Sequence, residues 1–251
     1  MDMAQKDRFT ALWGKHFGDS GLPMAFYYTE EPGSVELAKA PAAGHQCMVP
    51  LLSKVRRGSS LAFDVKGVGC SGGKRYLGFS QELMPNFEYF LSCGIPGQME
   101  GERYKKTPDL VREVVKRWPR FEAPARFIVF KRWDQLEEPD LPAVAIFFSP
   151  PDVLSGLFTL ANFDEMEPSV FAPFCAGCAS IVQFPFLEKD AELPRAVLGM
   201  FDVSARPYVP AQTLSFAVPM NKFWGMAENM EESFLTTPSW AKVRTRIGKK
   251  A

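Results

Sequence analysis

The sequence has almost no histidine: His16 and His45 are the only two in 251 residues. That scarcity leaves few general bases and little material for mixed Cys/His zinc sites. No Ser-His-Asp order, no HExxH and no isolated carboxylate pair stands out, so the common hydrolytic constellations are not readable. Charge of either sign is not in excess either. Lys+Arg and Asp+Glu both number 29, which excludes a non-specific nucleic-acid binder and gives no polybasic membrane arm. No apolar run approaches the ~18 residues of a membrane span. The N-terminal MDMAQKDRFTALW carries early acids and lacks the apolar core of a secretory signal. The basic tail (Lys242, Arg244, Arg246, Lys249, Lys250) reads as a frayed, solvated terminus.

What remains is the composition of a globular protein, 46% hydrophobic and 23% charged, with five cysteines: Cys47, Cys70, Cys93, Cys175 and Cys178. Without a signal, such cysteines point to a reducing compartment, the cytoplasm, where thiols are free, catalytic or metal-bound.

The chain also repeats itself. GLPMAFYYTEEP around Leu22 is matched by DLPAVAIFFSPP around Leu141, and CMVPLLSKV at Cys47 by CASIVQFPF at Cys178. Gly69-Cys70 lies opposite Gly199-Met200, Arg75 opposite Arg206, and LMPNFEYF (Leu83 to Phe90) opposite AVPMNKFW (Ala217 to Trp224). The matches stay in order, at offsets of 119, 131, 130, 131 and 134 residues. They predict an α/β (mixed α+β) fold of two pseudo-symmetric halves, residues 1–134 and 135–251, that arose by duplication and share one core. Within it, strands are expected around 60–65 and 196–201, with helices opening at Pro85 and Pro219. Thr107-Pro108-Asp109 supplies a cap, an N1 proline and an early acid for the helix LVREVVKRW. ARFIVF reads as a strand, Asp134–Asp140 as an acidic loop joining the halves, and DVLSGLFTLANF as an amphipathic helix.

GVGCSGGKRYLGF (Gly67 to Phe79) concentrates glycine, cysteine and cations. Against the phosphate-loop pattern, Gly73 stands where the lysine belongs and Lys74 where the hydroxyl belongs. Its glycines still suit a turn at positive φ, or an anion nest of Gly69, Gly72 and Gly73 flanked by Lys74 and Arg75. Arg75 and Arg206 are readable either as a clamp on a carboxylate or phosphate or as structural arginines holding loops.

Cys70, between glycines and near two cations, has the setting of an accessible thiolate. Cys175-Ala-Gly-Cys178 is a CxxC, whose spacing brings two sulfurs to one ion. If the halves share a twofold, Cys47 and Cys178 fall at equivalent places, and Cys70 joins them. Cys47, Cys70, Cys175 and Cys178 then form a four-thiolate set suited to structural zinc or an iron–sulfur cluster. His45 is a further candidate ligand, or a base for a nucleophilic Cys70. Each of the four is also readable as a small buried hydrophobe, and Cys93, at a helix end, is assigned that role. A metal-free dithiol is a weaker reading, because Pro173 breaks the strand that would precede the CxxC. The aromatic runs FEYF and KFW are expected in helix cores.

Cys47, the Gly-Cys turn leading into Leu-Gly-Phe, and the second-half CASIV and LGMFDVSARPY series together resemble the domain of unknown function 169 family of bacteria and archaea. The likeness runs from about Leu22 to Trp224. It implies that Cys47, Cys70 and Cys178 mark a site, and it carries no activity to transfer. Two functions are therefore expected of the residues: a metal or iron–sulfur centre held by cysteines where the halves meet, or a module for a small anionic ligand on the Gly67–Gly73 turn.

Overall fold

A computed structural model describes residues 1–248. The chain opens with helix α1 (Met3–Phe17), capped by the Asp2 carboxylate, which accepts from the Ala4 N–H at 2.9 Å. The first unit then runs β1 (Met24–Thr29), β2 (Glu36–Leu37), α2 (Leu52–Arg56), β3 (Leu61–Phe63), α3 (Ser71–Tyr76), α4 (Phe87–Phe90), α5 (Pro108–Arg117) and β4 (Phe127–Arg132). The second runs β5 (Val144–Ser149), α6 (Pro151–Ala161), β6 (Val170–Phe171), a π-helical turn (Ala179–Gln183), α7 (Phe184–Glu188), β7 (Ala196–Gly199), β8 (Leu214–Pro219), α8 (Met220–Glu228) and α9 (Pro238–Arg244).

All eight strands join one mixed sheet in the order β2-β3-β4-β1-β5-β8-β7-β6. Its centre is the antiparallel pair β1–β5. Moving outward from that pair, each side meets an antiparallel strand, a second antiparallel strand, and a short parallel edge strand. The two sides thus match in order and sense.

Alternation along the strands sends side chains to two cores. Phe26, Phe63, Phe130 and Ile146 face one core, beneath α2, α3 and the π-turn. Ala25, Ala145, Phe147 and Phe216 face the other, covered by α1, α6, α8 and α9. Because β1 and β5 are buried on both faces, they read as nearly unbroken apolar runs.

Several expected elements appear where the residues placed them. Thr107 caps α5, its Oγ1 accepting from the Leu110 N–H at 3.2 Å. The acidic link follows β4, and within it Asp140 is buried, accepting from Lys131 Nζ at 2.9 Å and from the Glu137 N–H at 2.8 Å.

Two expectations are corrected. Leu83–Phe90 does not correspond to Ala217–Trp224. In the sheet, the position of β8 is matched by β4, and residues 83–90 form a loop and the single turn α4. Strand position is set by non-local pairing, which a local Pro-aromatic likeness does not report. The basic tail is not frayed either: Lys242 and Arg244 lie on α9, anchored by buried Trp240, whose Nε1 donates to the His16 carbonyl at 2.8 Å. Arg246 reaches Asp152 at 3.1 Å. Lys249 and Lys250 lie outside the described residues. Among those residues, no helix is long and apolar enough to cross a membrane.

Candidate functional site

The glycine stretch becomes a loop that turns into α3. None of Gly67, Gly69, Gly72 or Gly73 has a positive φ, so the turn does not use the left-handed freedom expected of them. Three of them are small for another reason, close approach. A Cβ on Gly67 would meet the Ala38 carbonyl oxygen at 2.6 Å, and one on Gly69 would meet Gln46 Cβ at 2.8 Å. One on Gly73 would meet Val68 Cγ1 at 2.7 Å and Cys70 Sγ at 2.8 Å.

These contacts bring the first two cysteines toward each other. The Gln46 N–H donates to the Gly69 carbonyl at 3.2 Å, tying the residue before Cys47 to the residue before Cys70. Cys70 then caps α3 in an extended conformation, its Sγ accepting from the Gly73 N–H at 3.1 Å. The anion-nest reading finds several of these groups already engaged. The Gly67 N–H is held by Asp64 Oδ1 at 2.8 Å, and the Gly73 N–H by Cys70. A Cβ on Gly72 would meet the Tyr76 ring at an ordinary contact of 3.6 Å, and Lys74 exerts a lowering pull on the Cys70 thiol pKa.

Arg75 and Arg206 have matching fates. The buried Arg75 donates to the Gln81 carbonyl. Arg206 donates to the Thr213 carbonyl, and to the Ala211 carbonyl at 2.7 Å. Each guanidinium pins the loop that follows it, which is what a structural arginine does.

The second pair of cysteines arrives from the other unit. Cys178 directly precedes the π-helical turn and belongs to the same core as α2 and α3, while half-buried Cys47 and Cys175 pack against that core. The intervening Gly177 is held from outside: its N–H donates to Asp202 Oδ2 at 2.9 Å. Asp202 Oδ1 accepts from the Ser204 N–H at 3.0 Å and from its hydroxyl at 2.8 Å. A strap from the first unit lies alongside. Tyr104 Oη accepts from the Ser204 N–H at 3.0 Å, and Lys105 Nζ sits 3.9 Å from the centroid of the Phe174 ring.

Electrostatics joins the four thiols. Burial pushes the Cys178 thiol well up, and the negative charges available at Cys70, Cys47, Asp202 and Cys175 raise it further. Burial also raises Cys47, partly offset by the Val49 N–H and reinforced by Cys70 and Asp202. Cys175 is pushed up to about 12 by burial and then by Asp202. Cys70 is raised by burial too, against the lowering pull of the Gly73 N–H and Lys74. At neutral pH these are protonated thiols packed as small apolar groups. Among the described residues, no three His, Cys, Asp or Glu side chains are assembled in a geometry ready to hold a metal ion.

The remaining candidates lie apart. His45 is exposed, and Cys70 Sγ accepts from the Gly73 backbone N–H. Cys93 is exposed rather than buried, its Sγ donating to the Gly94 carbonyl at 3.5 Å, which corrects its assignment to the interior. Asp202 and Tyr76 were missed altogether, and Met200 was named only as the counterpart of Cys70. Acids and methionines carry no spacing signal, and only the packing of the loop after β7 brings them to the thiols.

A family model described as uncharacterised ArCR, domain of unknown function 169, matches residues 19–229. The chain belongs to this family. The matched span contains all eight described strands, Cys47, Cys70, Cys175, Cys178 and Asp202. α1 and most of the segment carrying α9 fall outside the family's common span. No curated protein and no solved structure matches the chain.

Proposed function

We propose that this family member binds a thiophilic metal ion or an iron–sulfur centre through Cys47, Cys70, Cys175 and Cys178. One observation carries the reading: Cys178 lies in the core beneath α2 and α3, Cys47 and Cys175 pack against that same core, and Cys70 caps α3, so four of the five cysteines come to one region from three separate stretches of chain. Thiols brought to one core from three stretches of chain are the donors that a soft cation takes.

The raised thiol pKa values belong to the same account. A metal that binds these sulfurs must displace their protons, so uptake is coupled to proton release and strengthens with pH. Cys47 lies in a loop and Cys70 at the end of one; Cys175 lies in another. Such segments can draw sulfurs together without breaking the sheet, and that movement is required, since the side chains are not assembled as a closed set. The ligands come from both units, which fits a duplicated ancestor whose copies kept one shared face. Free thiols of this kind suit a reducing compartment such as the cytoplasm.

The anionic-ligand reading has less behind it, because Arg75 and Arg206 spend their guanidinium groups on carbonyl oxygens. Anaerobic purification followed by elemental and sulfide analysis separates the two. Bound iron with sulfide, or bound zinc or copper, that is lost in Cys178→Ser supports the thiol centre. A wild-type protein that stays metal-free after anaerobic reconstitution, and is stabilised by phosphate or carboxylate ligands in a manner lost on Arg75→Ala, supports the other.

A further inference from the structure

Arg56 is a half-buried cation with no acid paired to it. It ends α2, and its Cζ lies 5.2 Å from the centroid of the Phe148 ring, which packs against the first core. Among the described residues no ion pair or side-chain hydrogen bond uses this guanidinium, and its nitrogens stay open to solvent. Burial lowers its pKa and neighbouring Arg57 lowers it further, with no carboxylate opposing them. Arg112, Arg132 and Arg195 show the reverse, each raised by an acid, Glu88, Asp134 and Glu188 in turn.

The surroundings hold this cation in place without neutralising it. Arg132 reaches the same turn, but its Nε and Nη2 grip Asp134 at 2.6 Å each. Its Nη1 donates to the Arg56 carbonyl at 3.4 Å, and a Cβ on Gly58 would lie 3.0 Å from its Nη2. Gly58 makes the turn at φ 101°, a region that glycine enters without strain. Arg132 therefore packs on the backbone from which Arg56 and Arg57 project. Lys54 is paired with Glu36 at 3.4 Å, whereas exposed Arg57 stands outside every ion pair among the described residues.

Covering Phe148 does not by itself call for arginine. A cation over a ring is a modest attraction where water reaches it, while half-burying an unpaired charge costs desolvation. In the match that sets Cys47 opposite Cys178, the residue opposite Arg56 is Leu187, an apolar side chain packed against the same core. Leucine fills such a place without that penalty. What arginine adds is a planar fork of N–H donors, which takes an oxyanion through two parallel bonds. Two adjacent, uncompensated cations suit a dianion.

We propose that Arg56, assisted by Arg57, binds the phosphate group of a small ligand beside the Phe148 ring. Arg56 lies over the ring and offers its open N–H groups to the oxyanion, and Arg132 is a positioning residue that fixes the turn. The proposal does not depend on the thiol centre. Nor does it involve Arg75 or Arg206, whose guanidinium groups hold loops.

The test follows thermal unfolding of the full-length protein in inorganic phosphate, acetate or chloride at matched ionic strength. Phosphate is expected to raise the midpoint saturably, and the other two anions are not. In Arg56→Leu the apparent phosphate affinity should fall about tenfold or more, the loss expected when a hydrogen bond between charged groups is removed. Arg75→Ala should keep the wild-type response. A phosphate response that survives in Arg56→Leu, or that acetate or chloride equals in the wild type, overturns the proposal. Because Arg56→Leu also changes the cover of Phe148, a second measurement uses the wild type alone. Phenylglyoxal labelling with peptide mass spectrometry should show phosphate protecting Arg56 while exposed Arg8 still reacts. Labelling of Arg56 that phosphate leaves unchanged overturns it as well.

Discussion

The backbone N–H of Gly177 donates to Asp202 Oδ2 at 2.9 Å, fastening the turn between Cys175 and Cys178 to the loop that follows β7. This bond sets where the CxxC points, and it puts a carboxylate beside thiols already raised by burial. Asp202 is the one acidic side chain that acts on Cys47, Cys175 and Cys178 together.

Replacing Asp202 by Asn keeps an acceptor for Gly177 and removes the charge. The thiol pKa of Cys175 is then expected to move down from about 12, since a neighbouring negative charge no longer opposes ionisation. Rates of iodoacetamide labelling at Cys175, followed by mass spectrometry across pH, should have their midpoint at lower pH in Asp202→Asn. An unchanged or higher midpoint would remove Asp202 from the electrostatics of the site.

Cys175 also links stability to pH. Its proton is held more tightly in the folded chain than in the unfolded one, where a thiol titrates near ~8.5. The stabilisation is fully present below that unfolded value and is lost as pH rises toward about 12, the folded value. Urea unfolding at pH 7.5 and at pH 10.5 should show wild-type stability falling across the interval. The fall should be shallower in Cys175→Ser, whose hydroxyl does not titrate there.

Arg75→Ala tests the structural role of that guanidinium. Losing a charged donor to the Gln81 carbonyl is expected to cost about 1.5–3 kcal/mol in urea unfolding. The metal content of the purified protein should not change. A large loss of bound metal with normal stability would return Arg75 to the site.

Gly156 on α6 faces aromatic rings from α1 and α9. A Cβ there would meet Trp240 Cη2 at 2.4 Å and Phe17 Cε1 at 2.8 Å, both on rings packed within that core. Gly156→Ala is therefore expected to destabilise by about 1–3 kcal/mol, against the usual gain from alanine in a helix. Thermal unfolding measures it, and an unchanged or raised midpoint would mean that α9 shifts freely.

Much of this architecture is readable in the residues. β1, β5 and β4 are short apolar runs of strand type, and Thr107-Pro108-Asp109 announces α5 by its cap. The ordered matches set Cys47 opposite Cys178 in sequence, and in the fold Cys47 packs against the core that contains Cys178. The counterpart of β8 was misread, because Leu83–Phe90 imitates Ala217–Trp224 in proline and aromatics while the sheet pairs by register with distant strands. α1 escaped because its apolar positions are interrupted by lysine, aspartate and arginine, and its signal, the Asp2 cap, is a single residue. The glycines of GVGCSGG were legible as special and illegible as to cause. Their closeness to Ala38, Gln46 and Val68 is a tertiary fact.

The central claim is that Cys47, Cys70, Cys175 and Cys178 act as one centre. Anaerobic alkylation of the native protein, with and without one equivalent of Cu(I) or Zn(II), followed by peptide mass spectrometry, tests it most directly. Exposed Cys93 serves as the internal control. The account predicts that metal protects the four cysteines together while Cys93 stays fully labelled. Labelling of the four that is unchanged by either ion, or protection confined to Cys93, would contradict it.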